Sequence, residues 1–76
     1  MFGRITFNPK VMGGRACIRG MRITVSLIVN LVANGMSSEQ ILKDYPDLEP
    51  EDIQQALQYV ASLANEELYP LSEKRA

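Results

Sequence analysis

Five cations, Arg4, Lys10, Arg15, Arg19 and Arg22, stand in the first 35 positions with no acid among them. Nine acids follow, against Lys43, Lys74 and Arg75. The basic stretch carries +5 and the remainder −6, hidden inside a net charge of −1. Guanidinium groups suit bidentate contact with phosphate or carboxylate. Arg15, Arg19 and Arg22, spaced within eight residues, are therefore candidates for gripping nucleic acid or an acidic protein partner, with Arg4 and Lys10 in support. Three arrangements account for the asymmetry: two faces for two partners, the basic half of one chain against the acidic half of another, or pairing inside one chain.

The other chemistry-bearing types offer less. With no histidine in the chain, the usual imidazole base and ligand are missing, and Cys17 has no imidazole to activate it as a nucleophile. Cys17 reads as a small half-buried apolar side chain, and alone it makes neither an internal disulfide nor a thiolate cage. Asp44, Asp47, Glu49, Glu51 and Asp52 gather close together, but without the central Gly of an EF-hand loop. Glu51 and Asp52 suit the dipole at a helix start. The stretch from Gly13-Gly14-Arg15 to Gly20 lacks the Gly-Lys-Ser/Thr ending of a phosphate loop. No catalytic residue, metal or cofactor is expected.

The elements that position these residues are legible from local pattern. Arg4-Ile5-Thr6-Phe7 alternates polar and apolar and ends at the turn-forming Asn8-Pro9. Arg15-Ala16-Cys17-Ile18-Arg19 alternates again, with Ala16 and Ile18 on one face and Arg15, Cys17 and Arg19 on the other. The two segments predict a short β-ribbon, joined through Gly13-Gly14, that needs helices or another copy to pack on. From Thr24 the period turns helical, with Val25, Ile28, Leu31 and Val32 on one side, Leu27 beside them, Thr24 as N-cap and Gly35 past the end, giving a helix near 25–34. Ser37-Ser38-Glu39-Gln40 has capping-box form, and Ile41, Leu42 and Tyr45 are the apolar side of a second helix stopped by Pro46. Pro50 opens a long third helix over about 50–67, with Ile53, Leu57, Val60, Ala64 and Leu68 as its apolar stripe. From Pro70 the residues Ser72-Glu73-Lys74-Arg75-Ala76 read as a frayed tail.

The expected fold is mainly α: a short N-terminal β-ribbon and basic loop (4–23) followed by a three-helix, helix-turn-helix-like unit (24–69) of homeodomain-like or winged-helix-like form, with a tail at 70–76, all in one domain. At 76 residues such a chain buries about 60% of its unfolded surface and is stable by roughly 4–11 kcal/mol. Hydrophobic residues at 46% and charged residues at 22% exclude disorder and low-complexity classes. The longest apolar run, Val25 to Ala33, is too short to span a membrane. Met1-Phe2-Gly3-Arg4 does not open a signal peptide, and a cytoplasmic location is expected. In a conventional helix-turn-helix the last helix enters the major groove. Here its exposed side is Glu51, Gln55, Gln58 and Ser62 with Asp52 nearby, which repels phosphates. DNA contact would run through the N-terminal cations, weakly unless dimerisation doubles them.

The stretch from Ile5 to about Ala61 resembles the domain-of-unknown-function 433 family of small prokaryotic proteins regarded as antitoxins. The residues that carry the likeness are Asn8-Pro9, Gly13-Gly14-Arg15, Ile18-Arg19-Gly20-Met21-Arg22-Ile23-Thr24-Val25, Gly35-Met36-Ser37 with Ile41, Tyr45-Pro46 with Leu48, and Glu51-Asp52-Ile53 with Ala56-Leu57. The resemblance implies an antitoxin of a type II toxin–antitoxin pair, encoded beside a PIN-like ribonuclease toxin that it binds and silences, the complex repressing its own promoter DNA. An arginine among Arg15, Arg19 and Arg22 would enter the metal-binding carboxylate cleft of the nuclease, and the segment from Glu66 onward would be a second arm. The other role open to these arginines is fixing the loop through backbone carbonyls, Arg22 above all. A homodimer is expected from the charge asymmetry and small core. The alternative is a stand-alone DNA-binding transcription regulator.

Overall fold

The structure is a computed structural model that describes the backbone of residues 2–75 and the side chains of residues 2–64. Two strands, β1 (Ile5–Thr6) and β2 (Cys17–Ile18), pair antiparallel with Ile5 opposite Ile18 and Thr6 opposite Cys17. Three helices follow: α1 (Val25–Ala33), α2 (Ser38–Asp44) and α3 (Pro50–Arg75). The strands are shorter than the alternation suggested, and β2 is more enclosed. Cys17 bridges to Thr24, and the Ile18 N–H donates to the Ile23 carbonyl at 2.9 Å, so extended chain flanks β2 on both sides. Cys17 and Ile18 are both buried as a result, which corrects the reading of Cys17 as half-buried on an outward face.

Between β2 and that flanking segment the chain reverses at Ile18–Met21, closed by a 2.8 Å bond from the Met21 N–H to the Ile18 carbonyl. Its two central residues, Arg19 and Gly20, have φ of 47° and 75°, the geometry of a type I′ turn. Gly20 takes this without penalty, whereas an L-residue such as Arg19 meets a cost of about 1 kcal/mol. The side-chain bonds of Arg19, described below, offset it.

Local chemistry sets the helix ends. Thr24 Oγ1 accepts from the Leu27 N–H, and Ser37 Oγ accepts from the Gln40 N–H. Only half of the expected capping box forms at α2, because Gln40 turns its amide toward Asp44 instead of back to Ser37. At the end of α1, Gly35 (φ 89°) follows the cap residue Asn34; its N–H reaches Val32 and that of Met36 reaches Leu31, the paired bonds of a Schellman motif.

The core takes residues from every strand and helix: Ile5, Ile18, Val25, Ile28, Ile41, Leu48, Ile53 and Ala56. On α3 the buried face is Asp52, Ile53 and Ala56, with Leu57 exposed. That departs from the expected stripe by the position of Leu57. Asp52 is held inward, and the residue four positions on, Ala56, shares its face. The α3 backbone stays helical through Arg75, which corrects the expected helix end near 67. Helix-forming Leu, Glu, Lys and Arg on both sides of Pro70 carry the ladder past a residue that removes one donor from it. The side chain of Leu68 and those of the arm expected from Glu66 lie outside the described residues.

Candidate functional site

The N-terminal cations divide into two groups. The first converges on Asp52, in the first turn of α3, whose side chain is fully buried. Its Oδ1 accepts from Arg4 Nη1 at 2.8 Å and Arg19 Nε at 3.1 Å; its Oδ2 accepts from Arg19 Nη2 at 2.9 Å and the Glu49 N–H at 2.7 Å. The last of these is the reach-back bond of a capping box, satisfying a backbone donor at the start of α3. Arg4 also meets Glu49 and Glu51, each at 2.7 Å, and its backbone N–H donates to Gln55 Oε1. Arg19 adds a bond from Nη2 to the Asp47 carbonyl at 2.8 Å. The loop-fixing role foreseen chiefly for Arg22 thus belongs to Arg19.

Burial by itself would push the Asp52 carboxyl up, but the hydrogen bonds from Arg19 and Arg4 and the Glu49 N–H outweigh it and hold it down at about 2. The same contacts raise both guanidinium groups above their ordinary value, the Asp52 hydrogen bond leading in each case. With two donors on each oxygen, Asp52 has its acceptor capacity filled. Of the acids that cluster in sequence, Glu49, Glu51 and Asp52 go to arginine, and among the described residues no three acid or thiol groups converge as a metal site.

The second group, Lys10, Arg15 and Arg22, is exposed; Lys10 and Arg15 ride on the loop between the strands, and Arg22 follows the Ile18–Met21 turn on the segment that leads into α1. Asn8 starts that loop, accepting from the Lys10 N–H on Oδ1 and from the Val11 N–H on its carbonyl. A short 3₁₀ turn at Met12–Gly14 follows, and the Arg15 N–H closes onto the Met12 carbonyl. Arg22 reaches the same turn, with Nη1 3.8 Å from Met12 Sδ. Among the described residues every ion pair involves Arg4 or Arg19, so Lys10, Arg15 and Arg22 have no carboxylate partner among them. Part of the charge asymmetry is therefore spent inside one chain, and its basic remainder is divided between the loop before β2 and the segment after it.

Arg15 also lines a groove of about 380 Å³ between α1 and α3, walled by Val25 and Val29 on one side and Tyr59, Val60 and Leu63 on the other. Helix length explains the gap: nine residues of α1 cover about 14 Å, too little for the 26-residue α3, about 39 Å long. Leu63 is 60% exposed in consequence. Tyr59 carries the apolar surface outward, with Phe2 edge-on at 5.6 Å and Phe7 tilted at 6.0 Å between ring centroids; Phe7 is 57% exposed. Composition and periodicity did not reveal this surface.

A β-ribbon with three helices, a saturated ion cluster at the start of α3 and cations without a carboxylate partner among the described residues beside open apolar surface define a small, mainly helical domain. Residues 5–60 match the model of the family described as Protein of unknown function (DUF433), and the chain belongs to that family. A crystal structure of a DUF433 member protein from Anabaena variabilis is similar, with a TM-score of 0.71 and 30% sequence identity over 93% of this chain and 66% of that one. The uncharacterized protein y4eO of Sinorhizobium fredii is 36% identical over 55 residues, 72% of this chain. The chain spans only 25% of the length of y4eO. No helix among the described residues is long and apolar enough to cross a membrane.

Proposed function

We propose that this chain is a non-catalytic antitoxin of a type II toxin–antitoxin pair that binds and neutralises a PIN-like ribonuclease in the cytoplasm. The observation that carries the reading is a set of exposed cations, Lys10 and Arg15 on the loop between the strands and Arg22 after β2, that have no carboxylate partner among the described residues, Arg15 lining uncovered apolar surface. A PIN-type cleft holds divalent metal with clustered carboxylates. An arginine that enters such a cleft competes with metal and RNA for the same charge, and desolvation there strengthens the attraction. Arg15 and Arg22 are the residues for that role, because Arg4 and Arg19 are committed to Asp52. The absence of catalysis is part of the proposal, supported by an Asp52 whose acceptor sites are all taken.

The test is co-expression of the tagged chain with the product of the neighbouring reading frame. The expected result is a complex heavier than the small protein's own oligomer and silent as a ribonuclease until that subunit is removed, with Arg15→Glu or Arg22→Glu restoring nuclease activity. No co-elution, or full inhibition by both variants, contradicts the reading. The same three cations favour one second reading, promoter binding by a DNA-binding regulator. It requires that log affinity fall with log salt at a slope near −3, about 0.9 for each of three phosphate contacts. An interface anchored on apolar contacts holds its affinity over the same range.

A further inference from the structure

We propose that the groove between α1 and α3 is the docking site for an amphipathic, carboxylate-bearing segment of a protein partner. The inference rests on the reading of the chain as a protein-interaction module and names where the partner sits and what it must present. Apart from Thr24 and Ser26 the described walls are aliphatic and aromatic, with Leu63 largely exposed, and among the described residues Arg15 is the one charged residue that lines it. Lys10 lies on the same loop as Arg15, and among the described residues the lining holds this one cation and no acid. Complementarity then selects the occupant. A helical segment with apolar residues at i, i+3, i+4 and i+7 fills the slot in the manner of helix-in-groove recognition, and an acidic residue flanking that stripe meets Arg15. A basic segment with the same apolar stripe is rejected, because it brings like charge to Arg15 at the same place. Tyr59, backed by Phe2 and Phe7, provides a rigid aromatic wall of the kind that anchors interfaces.

The experiment uses the full chain and two synthetic helical peptides with one leucine stripe, flanked by Glu in one and by Lys in the other, followed by amide NMR shifts and fluorescence anisotropy. The Glu peptide is expected to saturate, with shifts concentrated at Val29, Val60 and Leu63, and to bind at least about tenfold more tightly than the Lys peptide, a difference of roughly 1.4 kcal/mol. Leu63→Glu and Arg15→Glu should each weaken the Glu peptide by about tenfold or more. Leu63→Ser serves as the uncharged check, since Leu63 is largely exposed and the fold does not depend on it. Equal binding of the two peptides, shifts centred elsewhere, or no saturation up to about 1 mM overturns the proposal. So do concentration-dependent shifts at the same residues without peptide, which would seat a second copy there. If the Glu peptide docks as described while a co-expressed nuclease stays active, the groove stands and the antitoxin reading falls. If the nuclease is silenced equally well by Leu63→Glu, the antitoxin reading stands and the groove falls.

Discussion

The two ends of the described part of α3 treat charge in opposite ways. At its first turn, two arginines, three acids and a backbone N–H close on one another around a buried carboxylate. About three turns further on, Leu63 lies open beside a groove bordered by a cation that no described acid meets. The cations of both regions come from the same short N-terminal stretch. Their different fates show that residue type does not decide whether an arginine binds a partner or holds the fold. The position of the carboxylate decides it: Asp52 faces inward where the start of β1 and the Ile18–Met21 turn present Arg4 and Arg19, and among the described residues nothing comparable faces Arg15.

Breaking the first region should have the largest effect. Asp52→Ala takes the carboxylate from Arg19, leaves Arg4 with Glu49 and Glu51 alone, and removes the reach-back bond from the Glu49 N–H. Breaking a buried ion pair costs up to about 3–5 kcal/mol, a large share of the 4–11 kcal/mol expected for a chain of this size. Urea denaturation should show most of the stability gone, with the variant partly unfolded in buffer.

Acid should dissolve the same cluster more gradually. The Asp52 carboxyl titrates at about 2 in the folded chain and at about 4 in the unfolded chain. The stability it contributes is therefore full above about pH 4 and lost as pH falls toward 2, to the extent of roughly 2 kcal/mol. A series of denaturation curves across that window should slope downward in the native chain, and Asp52→Asn should flatten the slope. The smallest effects sharpen the contrast. Glu51→Gln removes an ion pair whose acid is well exposed, and Leu63→Ser removes a side chain that is mostly in water. Both should stay within about 0.5 kcal/mol of the native chain, measured as the shift in unfolding midpoint.

Much of the scaffold was legible because its signals are local. Thr24, Ser37, Gly35 and Pro50 each act within a few residues of where they sit: the helix starts that Thr24, Ser37 and Pro50 announce are those observed, and Gly35 follows the cap of α1. The β-ribbon was legible as an alternation but not in extent, since flanking chain on both sides of β2 buries what alternation alone would turn outward. The Asp52 cluster was not legible. Its partners lie 48 and 33 positions away, and an acid in a first helical turn reads as dipole chemistry until those partners are known. One signal was present: Asp52 stands three residues after Glu49, the spacing of a capping-box reach-back, although Glu49 itself is no usual cap. The groove left no mark on the pattern, because it is a difference in length between α1 and α3, and Leu57 and Leu63 look like any other apolar positions of a helix.

The division of the arginines is tested most directly by urea unfolding of four variants in parallel: Arg4→Ala, Arg19→Ala, Arg15→Ala and Arg22→Ala. The structure predicts that the first two lose about 1–3 kcal/mol each, the range for removing charged hydrogen bonds to a buried acceptor. The last two should match the native chain within about 0.5 kcal/mol. A loss at Arg15 or Arg22 equal to that at Arg19, or no loss at Arg19, would contradict the assignment of one pair to the fold and the other to a partner.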